Sequence, residues 1–385
     1  MLDRLVTDAC AEMPPWSWLN RFFPTALLPV SLRRVLGRRV PDIPAQLISG
    51  FPWFAVKSIR GRHARESQTE YWARRNAEFC RLVARKGLGS CEGVYGFNGA
   101  ALEVFEEAKK KGLRIILDQT AAPWSWNRKM LLEEAERWPG WEERPAEIDE
   151  SEKLSAREER EWELADRIIC GSDFVVETVG DANGPAERCR VVHYPFPVTE
   201  DGWRGSAFRV RKRDEPFRVL FVGTLQLRKG VQYLLQAVKL MRGHDITVRL
   251  VGPSMLSEEA MKELRGGMDV VGPVPRSEIS KQYAWADAFV LPTLSEGSAN
   301  VVYEAMAAGV PVITTPHAGS IIEDGVTGLL VPARDAGALA QGIIRLREDR
   351  ELREKIRKNG IGVIPGFEDY VRRLSRAVTL LPERR

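Results

Sequence analysis

The second half of the chain alternates between short apolar runs and amphipathic stretches. Phe217-Arg-Val-Leu-Phe-Val222 is almost continuously apolar, as suits a strand buried on both faces. Beyond it, Val231, Leu234, Leu235 and Val238 recur at helical spacing. Strand-like runs return at 247–251, 269–271, 288–291, 310–314 and 328–331, with helical patterns between most of them. Short apolar strands alternating with helices predict a parallel, doubly wound sheet. Such sheets bind ligands at the carboxyl ends of their strands. Two loops leave strand ends of that kind, one after Val222 and one after Pro292.

The first half carries the same alternation more faintly. Strand patterns lie at 93–98, 114–118, 166–170 and 190–193. Helical patterns lie at 101–111 and 151–165, and Gly171-Ser172 opens another helix. A polar, charged stretch over 199–216 reads as a linker. At 385 residues the chain is long for one core and comfortable for two. The expected organisation is therefore residues 1–200 and residues 201–385, each an α/β domain with a parallel sheet.

The loop after the run at 288–291 holds the densest chemistry. It reads Leu291-Pro-Thr-Leu-Ser-Glu296-Gly-Ser-Ala-Asn300-Val-Val-Tyr-Glu304-Ala-Met-Ala-Ala-Gly309-Val-Pro311. A helix is predicted to start near Asn300. Its first N–H groups have no intrahelical partner and carry partial positive charge, so Gly297, Ser298, Ala299 and Asn300 suit a phosphate. Glu296 precedes the helix and Glu304 lies about one turn into it. Anion-binding amides beside two hydroxyl-accepting carboxylates fit a sugar joined to a nucleoside diphosphate. The other loop, Phe221-Val-Gly223-Thr-Leu225-Gln-Leu-Arg228-Lys229-Gly230, offers a glycine for close backbone approach. Lys229 adds a point charge and Arg228 a two-pronged one.

Glu296 to Ala307 resembles the E-x7-E signature of retaining GT-B glycosyltransferases, specifically glycosyltransferase family 4, the group 1 glycosyltransferases. The loop at 221–230 resembles that family's G-x-L and K-G segment, and Gly325-Val-Thr-Gly328-Leu-Leu-Val-Pro332 matches a further, structural segment. The resemblance implies two Rossmann-like domains facing a central cleft, acceptor on the first and nucleotide sugar on the second, with the last helix packing back on the first. It implies that Glu296 contacts the donor sugar and Glu304 the ribose. Gly223, Thr224, Arg228 and Lys229 would lie along the diphosphate, and the loop Gly272-Pro-Val274-Pro275 beside the base. The family commonly has Arg where Thr224 stands, and Arg228 is the spare cation nearest to it. The family also opens with a short apolar strand and a glycine loop. Here the start is Leu5-Val-Thr-Asp-Ala-Cys, so that strand is either absent or trimmed.

On the acceptor side the expectations are thinner. Asp118 ends the run at 114–118 and could orient an acceptor or cap a loop. His193 ends another run and reads as a satisfied, buried histidine. Trp124-Ser-Trp126-Asn-Arg128 is an aromatic and basic acceptor-side candidate. Catalysis is accordingly expected from Glu296, Lys229, Arg228 and Asp118, with no cofactor and no metal. A sugar-nucleotide epimerase of the same fold, or a non-catalytic sugar-nucleotide-binding module, would use the same nucleotide residues.

Composition narrows the picture. No D-x-D occurs, which removes the usual carboxylate cradle for a metal-bound nucleotide. Cys10, Cys80, Cys91, Cys170 and Cys189 are odd in number and scattered, as in a reduced cytoplasmic protein. No apolar run approaches the roughly 20 residues that span a bilayer, and the start has no signal-peptide order. The net charge of +4 does not call for nucleic acid. The first part is basic, however: Arg33, Arg34, Arg38, Arg39, Lys57, Arg60, Arg62, Arg65, Arg74 and Arg75. They are interleaved with Trp16, Trp18, Phe22, Phe23, Phe51, Trp53 and Phe54. That mixture suits either an anionic membrane surface near a lipid-linked acceptor or a solvated face over a core.

Overall fold

The computed structural model describes residues 2–8, 43–59, 67–142, 146–196 and 215–379. The basic stretch at 31–39, Arg60, Arg62, Arg65, the aromatics at 16–23 and most of the 199–216 linker lie outside them. The chain divides into two compact units, residues 1–115 with 163–165, and residues 116–162 with 166–385.

In the first unit, β1 (Leu5–Thr7) pairs in parallel with β2 (Ile48–Gly50). This corrects the reading of the opening segment: Leu5-Val-Thr is itself a strand. Three residues with polar neighbours are too few to show as an apolar run. Helices α1 (Pro52–Ile59) and α2 (Gln68–Lys86) follow. Ser67 and Glu70 close a reciprocal capping box at the start of α2. The buried Arg75 of α2 lies 3.6 Å over the Phe54 ring and donates to the Phe54 carbonyl at 2.8 Å. Next come β3 (Gly93–Phe97) and α3 (Leu102–Lys110), the latter packed on α2.

The second unit opens with β4 (Arg114–Gln119), whose residues from Ile116 onward belong to it, and α4 (Trp124–Arg137). Helix α5 (Ala146–Leu164), β5 (Arg167–Cys170), α6 (Asp173–Asp181) and β6 (Cys189–Val191) follow. β4, β5 and β6 run side by side in parallel, with Leu117 opposite Ile168 and Ile169 opposite Arg190.

The larger sheet is six-stranded and parallel. Its strands are β7 (Phe217–Val222), β8 (Ile246–Val251), β9 (Asp269–Gly272), β10 (Ala288–Leu291), β11 (Val312–Thr314) and β12 (Leu329–Leu330). They lie in the order β12-β11-β10-β7-β8-β9. Helices α7 (Val231–Leu240), α8 (Glu258–Arg265), α9 (Ile279–Trp285), α10 (Asn300–Ala307) and α11 (Ala336–Glu348) connect or cover the strands. Both faces are covered, so every residue of β10 is buried, as is every residue of β7 except Arg218. Helix α12 (Arg350–Gly362) adds Leu352 and Ile356 to the same core. Helix α13 (Phe367–Thr379) then sets Tyr370, Leu374, Ala377 and Val378 on Ile116, Ile169 and Val192 of the smaller strand set.

The strand order positions the site. From β7 the chain steps outward through β8 and β9, then returns to β10 on the other flank of β7. The loops leaving the carboxyl ends of β7 and β10 therefore rise side by side at the point where the order reverses. Open α/β sheets place their ligand crevice at such a point.

Candidate functional site

The two loops touch through a glycine. Gly230 has φ +75°, and a Cβ there would lie 1.9 Å from the Pro292 carbonyl oxygen. Only glycine accepts both conditions. The contact presses the Arg228-Lys229 segment onto the start of the 292–299 loop. Leu294 N–H and the Thr293 hydroxyl then both donate to the Arg228 carbonyl, at 2.8 and 3.1 Å.

Charge converges on Glu296. Its Oε1 is ion-paired with Lys229 Nζ and lies 3.1 Å from Arg228 Nη1 and 3.2 Å from the Thr293 hydroxyl. Arg228 Nη1 also donates to the Ser295 carbonyl. The Lys229 and Glu296 side chains are each 14% exposed. Burial pulls the Lys229 ammonium below its ordinary pKa, the Glu296 charge opposes that shift, and Arg228 adds to it. Two cations against one carboxylate leave one net positive charge beside the start of α10. No side chain caps that helix; Val302 N–H goes to the Ala299 carbonyl, which leaves the Asn300 and Val301 amides for an acceptor.

A cavity of about 520 Å³ opens there. Arg228, Ser295, Glu296, Gly297, Ser298 and Asn300 line one side of it. Thr120, Ala121, Trp124, Asn127, Arg128 and Leu131, on and just before α4, line another, with Tyr194 completing the wall. The two sides are fastened together. Ser295 Oγ donates to Asn127 Oδ1 at 2.6 Å, and Ser172 Oγ donates to the Gly297 carbonyl at 2.7 Å. A Cβ at Gly297 would meet the Thr120 carbonyl oxygen at 1.7 Å.

The expected site residues thus separate into groups. Arg228, Lys229 and Glu296 meet, and Gly297, Ser298 and Asn300 share the cavity with Arg228 and Glu296. Ala299 is buried as the residue before α10, its N–H bound to the Ala318 carbonyl. Gly223 and Thr224 follow β7 directly, with Gly223 N–H bound to the Val251 carbonyl. Val274 is partly buried against the core.

Glu304 and Asp118 do not line the cavity. Glu304 is 3% exposed, with Arg276 Nη1 at 2.7 Å from Oε1 and the Tyr283 hydroxyl donating to Oε2 at 2.9 Å. Asp118 is buried and accepts a hydrogen bond from the Tyr194 hydroxyl, so Tyr194 is what reaches the cavity. Burial and the Asp118 charge push the Tyr194 phenol up, keeping it neutral and a donor. His193 contacts the Gly171 carbonyl through Nδ1 at 3.1 Å, and burial lowers its pKa.

Sequence reasoning missed Tyr194, which has no motif around it, and the buried acid behind α4. Glu134 is fully buried and accepts from Gln232 Nε2 at 2.9 Å, the Tyr233 hydroxyl at 2.9 Å and Arg334 Nε at 2.7 Å. Glu142 accepts Leu227 N–H at 2.6 Å. These bonds tie the cavity's α4 wall to the loop that carries Arg228 and Lys229.

Two nucleotide-type loops at a topological switch point, on parallel Rossmann-like sheets, define a glycosyltransferase fold of the GT-B class. Solved structures share it. Sucrose-phosphate synthase from Thermosynechococcus elongatus superposes with a TM-score of 0.61 at 20% identity, covering 81% of this chain and 79% of that one. Anabaena Alr3699/HepE in complex with UDP-glucose gives 0.55 at 18% identity, covering 82% and 84%. Residues 216–349 match the family model described as Glycosyl transferases group 1.

Curated relatives agree. A D-inositol 3-phosphate glycosyltransferase of Kribbella flavida is 32% identical over 233 residues, 54% of this chain and 55% of its own length. The amylovoran biosynthesis glycosyltransferase AmsK of Erwinia amylovora is 31% identical over 169 residues, 39% and 42%. The chain spans about half the length of the curated relatives it matches.

Proposed function

We propose that the chain is a retaining, hexosyl-type glycosyltransferase that moves a sugar from a nucleoside-diphosphate donor to a glycan or lipid-linked acceptor. One observation carries the reading: Lys229 and Arg228 meet Glu296 beside the uncapped start of α10, and Arg228 and Glu296 line the cavity there. Breaking the sugar–phosphate bond builds negative charge on the leaving diphosphate. Two cations and the amides of Ser298 and Asn300 would stabilise that charge from fixed positions. Glu296 would hold the sugar hydroxyls and aim the anomeric carbon at the acceptor, while Tyr194, whose proton goes to Asp118, offers its neutral hydroxyl oxygen to the same space as an acceptor. This role for Lys229 and Arg228 leaves no step that needs a divalent metal. HepE has been solved with UDP and with UDP-glucose, and TarM of S. aureus with UDP and fondaparinux. Those complexes support a nucleotide-sugar donor and a glycan acceptor here.

In this reading residues 1–200 serve the acceptor and 201–385 the donor. Among the described residues no helix is long and apolar enough to cross a membrane. The basic, aromatic first part would instead dock on the inner, anionic face of a membrane from the cytoplasm. Sedimentation with vesicles should then rise with anionic lipid and fall with salt, and equal pelleting with neutral vesicles would end that part of the proposal.

The deciding experiment incubates the protein with UDP-, GDP- and ADP-sugars in excess EDTA, with and without glycan or lipid-linked acceptors. Transfer with retained anomeric configuration is the expected result. Epimerised donor without acceptor would replace this reading with an epimerase. Activity that needs added magnesium or manganese would overturn the charge assignment to Lys229 and Arg228.

A further inference from the structure

Glu304 sits apart from the cavity in a small cluster of its own. Its side chain is 4% exposed, Tyr283 is fully buried beneath it, and Arg276 is 69% exposed above it. The Tyr283 hydroxyl donates to Oε2 at 2.9 Å and lies 3.3 Å from the Val301 carbonyl oxygen. Burial and the Glu304 charge raise the Tyr283 phenol well above its ordinary value, so it stays protonated and keeps Oε2. Arg276 Nη1 holds Oε1 at 2.7 Å from the loop that follows β9. With 4% of the side chain open, there is no room for ligand hydroxyls on Oε1 beside that guanidinium. Tyr283 is locked, whereas Arg276 has solvent to retreat into.

We infer that Arg276 competes with the nucleoside end of the donor for Glu304, so that donor binding must displace its guanidinium, while Tyr283 holds the carboxylate in place. The inference rests on the proposed donor site and concerns its affinity. Water solvates the 69%-exposed Arg276 once it lets go, and the incoming hydroxyls take its place on the buried Oε1, so the net cost of the exchange is small. Displacing Arg276 should therefore cost a small factor in affinity, about two- to fivefold. The factor belongs to the ribose end, since pyrophosphate alone has no hydroxyl for Glu304 to accept.

The test is a double-mutant cycle by titration calorimetry on the full chain, with UDP, GDP, ADP and pyrophosphate as probes. The parent, Arg276→Gln, Glu304→Gln and the double variant are compared. Arg276→Gln should tighten the nucleoside diphosphate that binds best by about two- to fivefold, should leave pyrophosphate unchanged, and should have no effect in the Glu304→Gln background. Weaker or unchanged binding by Arg276→Gln, or an equal change with pyrophosphate, overturns the competition. If Glu304→Gln still weakens the nucleotide in that case, the donor site stands without it. If Glu304→Gln binds every probe like the parent, both the competition and the place of Glu304 in the donor site fall. Arg276 is largely exposed and Glu304 keeps the Tyr283 hydroxyl; unfolding midpoints of the variants check that the fold is kept, and Arg276→Ala repeats the measurement without a new amide.

Discussion

Glu134 offers the sharpest test of how the cavity wall is held. Replacing it with alanine removes the acceptor of three side-chain hydrogen bonds. Their donors do not suffer equally. Arg334 is 27% exposed and keeps Glu133 at 2.8 Å, so its charge is not stranded. Gln232 Nε2 keeps the Leu227 carbonyl at 2.9 Å. The buried Tyr233 hydroxyl loses its acceptor and is left facing two other donors, Trp138 and Arg137. An unsatisfied buried donor costs roughly 1–3 kcal/mol, and breaking a buried pair outright costs about 3–5. With two of the three donors retaining other partners, the expected loss for Glu134→Ala is about 2–4 kcal/mol. Glu134→Gln keeps the shape and one acceptor and should lose about half as much. Urea unfolding followed by tryptophan fluorescence reads this directly, since Trp124, Trp126, Trp138 and Trp141 all lie on or beside α4. Arg137 is half exposed, 3.8 Å from Glu134, and also bonds the Tyr233 hydroxyl, so Arg137→Ala should cost clearly less than Glu134→Ala. Should Glu134→Ala unfold with the parent, or should Arg137→Ala cost as much, the acid is not what fastens α4 to α7.

Three further outcomes are expected. Lys229→Ala should lower turnover by about 10²–10³, because its charge counts most as the bond breaks, and Arg228→Ala should cost a comparable amount; a parent-like Arg228→Ala would make Arg228 a loop residue only. Gly230→Ala forces a side chain into a left-handed turn and against the Pro292 carbonyl, so calorimetry should show lost nucleotide affinity along with lost stability. His193 and His317 both titrate below 6.5 in the fold because they are buried. Between their folded values and 6.5 the unfolded chain holds more protons, so stability should fall as pH drops through that window. His317→Gln should flatten the acid limb of a pH-stability curve, and an unchanged limb would remove His317 from the account.

Much of this was legible because strands buried on both faces must be apolar throughout. β7 and β10 read at their observed bounds, 217–222 and 288–291. The run at 310–314 overreached: the strand is Val312–Thr314, because Pro311 has no N–H for a ladder. The cavity's carboxylate and cations were legible because loops at strand ends expose their chemistry in consecutive residues. Helix α4 was not. Its stretch Glu133-Glu134-Ala-Glu136 looks like a solvated face, and nothing local says that one of those acids is fully buried under residues from position 232 to 334. Arg276 was equally silent, since its partner lies 28 positions on, beyond a helix and a strand.

Those long-range bonds bear on modularity. The recognisable stretch is 216–349, but the folded core has other edges. Trp141 and Phe196 are buried within it from before that stretch, and Leu352 and Ile356 from after it. The Trp141 carbonyl accepts Ser257 N–H at 2.8 Å, and Glu142 holds Leu227 N–H. A fragment cut at the family's borders would leave the Arg228–Lys229 loop without its anchor and a strip of apolar surface without cover. A chimaera that exchanged this stretch for a relative's would inherit donor chemistry but not its alignment, unless the partners at 134, 141 and 142 travelled with it.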